Sequence, residues 1–193
     1  MPVLLLVVFV NFVGIGALIP VLPYTVIETL GLSSTTMTLL LASFAFAMFL
    51  SNPLLGRLSD HVGRRPVLIF SLLVNVLAHI WFALSTDIMQ MFAARILAGL
   101  AAGNTGVIQA MIADRVNPRE RARYMGLFGA AIGTGFVAGP ALGGLFSGLG
   151  EGPLHQAPFL LAAGFGTIAL LLSLRLNERA TKATASIAAK TLL

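Results

Sequence analysis

Six apolar stretches, each about the 20 residues a helix needs to cross a bilayer, divide this chain of 193 residues, and almost every charge lies between them. They run from Val3 to Val26, Thr35 to Leu55, Val67 to Ser85, Ile88 to Ala113, Ala122 to Gly148 and Gln156 to Leu174. With 58% hydrophobic residues, 10% charged residues and a mean hydropathy of +0.95, the chain carries more apolar surface than a soluble domain of this size can bury. The pattern predicts an all-α membrane protein of six transmembrane helices. Eleven of the twelve Lys and Arg residues follow the second, fourth and sixth stretches, whereas the loops around Glu28, Asp87 and Glu151 hold none. By the positive-inside rule both termini are expected on the cytoplasmic side of a plasma membrane, in the bacterial case the inner one. The net charge of +5 is then a topology signal rather than a nucleic-acid footprint, because no aromatic-basic patch accompanies it. Without cysteine there is no disulfide or thiol chemistry. No nucleophile-base pair, metal cluster or phosphate-binding loop stands out, so neither an enzyme nor a cofactor is expected. Met1-Pro2-Val3-Leu4 lacks the positive region of a signal peptide and is read as retained.

Between the second and third stretches lies a polar island, Gly56-Arg57-Leu58-Ser59-Asp60-His61-Val62-Gly63-Arg64-Arg65-Pro66. Three arginines, an aspartate and a histidine are too costly for hydrocarbon, which predicts a tight turn at the membrane surface. Gly56 and Gly63 suit the turn, Pro66 suits the first turn of the next helix, and Asp60 is placed to cap free amides or to pair with Arg64 or Arg65. The spacing G-x-L-x-D-x-x-G-R-R resembles the signature loop of the major facilitator superfamily of secondary transporters. Two other runs strengthen the resemblance. Arg95-Ile96-Leu97-Ala98-Gly99 is similar to that family's R-x-x-x-G motif, associated with the central cavity and proton transfer. Gly135-x-x-x-Gly139-Pro140-x-x-Gly143-Gly144 is similar to its antiporter motif. The first stretch, with Asn11, Gly14, Gly16, Pro20 and Pro23, resembles that of drug-proton antiporters of the tetracycline-exporter type.

The resemblance implies six helices as a 3+3 inverted repeat that makes up one half of a transporter. A second six-helix half, either covalent and C-terminal or a homodimer copy, would complete it. Residues 1–176 form the bundle, and residues 177–193 are expected to be a cytoplasmic tail or the start of a linker. The glycine face of the fifth stretch is expected to need a partner outside the bundle. The resemblance also implies that Asp114 joins Asp60 and Arg64 in a charge network. It departs at two places: relatives carry carboxylates where this chain has Asn11 and Ala78.

Arg95 is the one charge placed well inside the membrane, roughly 10 Å from the outer end of its helix at 1.5 Å per residue. It either borders a cavity or snorkels to the outer surface. At 100° per residue, Gln109 lies within about 40° of it and Asn104 about 180° away, so Gln109 and Arg95 are the cavity candidates, with Asn11 contributing from the first span. Ser71, Asn75 and His79 share one helical face, which either hydrogen-bonds to neighbours or makes His79 a protonatable group alongside Arg95. The function expected is proton-coupled efflux of a small amphipathic molecule by alternating access. A passive facilitator, or a non-transporting receptor or assembly factor on the same scaffold, is the alternative.

Overall fold

The computed structural model describes residues 1–147 and 156–176. Among them there is no β-strand, and five helical stretches are long and apolar enough to cross a membrane: Pro2–Glu28, Ser34–Val62, Arg64–Leu84, Ile88–Arg115 and Arg121–Phe146. A shorter apolar helix, α8 (Gln156–Ser173), follows them. This is a multi-pass helical membrane protein. The loop around Glu151 and the expected tail at 177–193 lie outside the described residues.

The first span is interrupted where its prolines stand. Helix α1 (Pro2–Ala17) stops before Leu18, and a short α2 (Val21–Pro23) leads into one π-helical turn, Tyr24–Thr29. Pro20 brings no amide hydrogen to the helical ladder, so the helix breaks just ahead of it. The second span is the long helix α3 (Ser34–Val62), begun by Ser33, whose hydroxyl accepts from the Thr36 amide at 3.2 Å.

The expected turn over 56–66 is corrected in extent. Helix α3 runs through Gly56 and Asp60 to Val62, α4 (Arg64–Leu84) starts two residues later, and the turn is the single residue Gly63. Its φ of 111° lies where a side chain is strained, so of Gly56 and Gly63 only Gly63 is required by the backbone. Gly56 sits in mid-helix with open space where a Cβ would project. The polar residues tolerate helix because their side chains bond back to it: Ser59 Oγ donates to the Gly56 carbonyl at 2.7 Å and His61 Nδ1 to that of Arg57 at 2.9 Å.

The fourth span comprises α5 (Ile88–Ala102) and α6 (Thr105–Arg115), separated by Gly103 and Asn104. A break inside a membrane frees backbone groups that lipid cannot satisfy. Helix α3 supplies the partners: Ser51 Oγ donates to the Leu100 carbonyl, and Asn52 Oδ1 accepts from the Gly106 amide at 3.1 Å. Asn104 in turn donates to Ser71 Oγ on α4 at 2.9 Å.

Helix α1 packs against α7 (Arg121–Ser147) and α8, α5 against α3 and α4, and α4 also against α8. Two apolar cores fill the bundle. One gathers Leu4, Val7, Val8, Leu68, Leu72, Ile108 and Ile112; the other gathers Leu18, Leu22, Leu40, Phe82, Met91 and Phe159. The α1–α7 contact is glycine on glycine: a Cβ at Gly139 would stand 2.7 Å from the Gly16 Cα, and one at Gly135 2.9 Å from Phe12 Cβ. A Cβ at Gly143 would likewise collide with Ala17. This corrects the expectation of an outside partner for that face, because the first span of the same chain already occupies it. The outward faces of α3 and α7 instead carry exposed Phe46, Phe49, Leu54, Val137 and Leu145.

Candidate transport site

Arg95 projects from the first half of the fourth span into the bundle and is only 5% exposed, so it does not snorkel outward. Its guanidinium carbon lies 4.8 Å from the centre of the Phe82 ring and 5.9 Å from that of Phe44, within the reach of cation–π attraction. Its Nε and Nη2 are buried without an acceptor among the described residues. The narrow hollow it faces is also lined by Leu18, Ala78, His79 and Ala98, which brings together the first, third and fourth spans. The expected pair of Arg95 and His79 is thus adjacent. The His79 ring donates through Nδ1 to the Asn75 carbonyl at 2.8 Å, which leaves Nε2 as the nitrogen able to take a proton. Asn75 is buried as well, with its side-chain nitrogen unpartnered.

The other expected cavity residues are separated from this group. Asn11 is 5% exposed in the first span, seven residues and about 10 Å of helix before Leu18. Gln109 is exposed, away from the Arg95 hollow. Between Arg95 and Gln109 the fourth span is interrupted at Gly103 and Asn104, where the Asn104 amide bonds three residues back, to Ala101, at 3.3 Å. Asn104, expected on the face opposite Arg95, is 1% exposed. The span is enclosed by α3 on one side and α4 on the other, so both faces are covered. Sequence reasoning missed Ser51 and Asn52; the signal was a polar pair in the middle of an apolar span, immediately before Pro53.

At the end of the bundle bearing Gly63, three spans are tied by charge. Arg64 Nη1 lies 2.6 Å from Asp60 Oδ1 and its Nε 3.2 Å from Asp114 Oδ2 at the close of the fourth span. The same guanidinium donates to Ser59 Oγ at 2.7 Å. The continuation of α3 makes this possible, since Asp60 and Arg64 stand four residues apart across the Gly63 turn. Arg65 points elsewhere, donating through Nη2 to the Leu174 carbonyl beyond α8 at 2.7 Å. Of the glycine run, Gly135, Gly139 and Gly143 are buried against α1, Pro140 is half-buried and Gly144 is exposed. Among the described residues no group of His, Asp or Glu could hold a metal ion.

Comparison with known proteins agrees with this architecture. The model of the Major Facilitator Superfamily matches residues 4–192. The chain is 38% identical over 192 residues to a class H tetracycline resistance protein of Pasteurella multocida, covering 98% of this chain and 47% of that protein. It is 36% identical to Multidrug resistance protein 2 of Bacillus subtilis, over 86% of this chain and 40% of the other. The structure of the human organic anion transporter MFSD10 (TETRAN) superposes with a TM-score of 0.73 at 26% identity, covering 89% of this chain and 45% of that one. The chain spans about half the length of the curated relatives it matches. It belongs to the Major Facilitator Superfamily.

Proposed function

We propose that this chain is one six-helix half of a secondary active transporter that exports small amphipathic molecules in exchange for protons by alternating access. The observation that carries the reading is Arg64 held between Asp60 and Asp114. A polar tie among the ends of three spans can open and re-form, as rocking of two bodies requires, whereas apolar packing has no comparable switch. The relatives named for tetracycline and multidrug resistance support small drugs as the substrate class.

The same reading includes a 3+3 inverted repeat. If the first and fourth spans exchange places, and likewise the second with the fifth and the third with the sixth, the pairing of α1 with α7 becomes that of the fourth span with α3. The pairing of α1 with α8 likewise becomes that of the fourth span with α4. The basic loops orient both termini to the cytoplasm of a bacterial inner membrane. A second six-helix body, covalent or a second copy, supplies the opposite wall, and the apolar faces of α3 and α7 are available to meet it or lipid. His79 Nε2 is the proton carrier within this half, because no carboxylate stands at Asn11 or Ala78.

The test is reconstitution in liposomes with an imposed pH gradient and a panel of labelled drugs. Accumulation that follows the gradient and is lost in Asp114→Asn supports export. Flux indifferent to the gradient favours the passive facilitator, which the lack of a carboxylate at Asn11 and Ala78 motivates. Flux of nothing, with the protein correctly inserted, favours a receptor or assembly role.

A further inference from the structure

We infer that Arg95 is the anchor of an anion subsite, and that the substrate class of this protein is an amphipathic molecule bearing a carboxylate or similar acidic group. The inference deepens the transport reading above and rests on it for the word substrate, though not for binding.

The buried polar atoms without partners around this hollow are all donors: Nε and Nη2 of Arg95, and Nδ2 of Asn75, one helical turn from His79 on α4. Whatever completes the site must therefore bring acceptors. It must also bring negative charge, because Arg95 has no carboxylate counter-ion among the described residues. A guanidinium this deep in a membrane bundle is retained only where a partner or aqueous cavity offsets it.

The surroundings define the rest of the ligand. Phe82 and Phe44 attract the guanidinium through their ring faces, which leaves its planar N–H edge for a two-oxygen acceptor of carboxylate geometry. The hollow is closed in this state, too narrow for a water molecule, so the ligand enters only when the site opens; the groups it would then meet beside the guanidinium, Leu18, Ala78 and Ala98, are apolar.

The experiment uses the protein in the assembly it forms in native membranes, purified into lipid nanodiscs, and three probes that share one apolar body: 2-naphthoate, 2-naphthamide and a naphthylmethyl trimethylammonium. Naphthoate should bind at least about tenfold more tightly than the amide, a difference of about 1.4 kcal/mol, and the ammonium should bind weakest. Arg95→Gln should remove the preference while keeping amide binding, and Arg95→Lys should retain part of it. Equal affinities, no binding of any probe, or a naphthoate preference surviving in Arg95→Gln would overturn the inference. So would preference for the ammonium, which would mean that a carboxylate of the second body already neutralises Arg95. Chloride that displaces naphthoate at equal concentration would also overturn it, by showing a small inorganic anion site. The wild-type charge series stands even if the variants fold poorly. Binding with this preference but no flux would defeat the transport reading alone, whereas flux indifferent to probe charge would defeat the subsite alone.

Discussion

Arg65 and Leu174, 109 residues apart, are joined by a 2.7 Å hydrogen bond from the guanidinium to the carbonyl just past α8. Carbonyls at a helix C-terminus lack partners within the helix and attract cations, so Arg65 completes the end of α8 from the start of α4. Arg65→Gln should therefore speed hydrogen exchange at residues 173–176 while lowering stability by only about 0.5–1.5 kcal/mol. Exchange there matching the wild type would show that the bond does not order that end.

Glycines of α7 should divide sharply. Gly139→Ala forces a methyl group against the Gly16 backbone and should lower stability by about 1–3 kcal/mol, because neither backbone can yield. Gly129→Ala and Gly133→Ala meet nothing within 4 Å and should be neutral. Thermal melting of the three variants in one detergent measures this, and equal losses would refute the α1–α7 packing.

Substitutions in the fourth span should divide by burial, with Asn104 enclosed and Gln109 exposed. Asn104→Ala removes the bond to Ser71 in a buried place and should cost about 0.6–1.7 kcal/mol, the range found for hydrogen bonds between membrane helices. Gln109→Ala, at an exposed position, should stay within about 0.5 kcal/mol of the wild type. Comparing melting of the two variants tests the Asn104–Ser71 bond, and equal losses would refute it.

Arg64 should couple to both of its carboxylates. In double-mutant cycles with Asp60→Asn and Asp114→Asn, each coupling should be about 1 kcal/mol or less, because the Asp60 side chain is 55% exposed and that of Asp114 31%. Labelling of a cysteine placed at Ser59, the buried hydroxyl under Arg64, should rise when either carboxylate is neutralised. Unchanged labelling in both would remove the tie as a gate.

Spans, charge asymmetry and family motifs were legible in the sequence because they follow from local chemistry. An apolar run of about 20 residues has few alternatives to a membrane helix, and arginines such as Arg57 and Arg119 cannot enter hydrocarbon without a partner. That a turn stands between the second and third spans was legible for the same reason, but its narrowing to Gly63 and the interruption of the first span ahead of Pro20 were not. What only the tertiary structure decided is which faces meet. Gly139 reads as a surface for some close neighbour, but nothing local says that the neighbour is Gly16 in the same chain. Asn104 reads as the face opposite Arg95, but nothing local says that it meets Ser71 on α4, and Ser51 and Asn52 acquire their purpose only beside the interruption at Gly103 and Asn104. Asp60 and Arg64 lie four positions apart in any reading, yet the long reach from Arg65 to Leu174 depends on the packing of α4 against α8. Helix formation in a membrane is dictated residue by residue through hydropathy and backbone hydrogen bonding, whereas partner choice depends on shape and on which polar atoms remain to be satisfied, and both are properties of the assembled bundle.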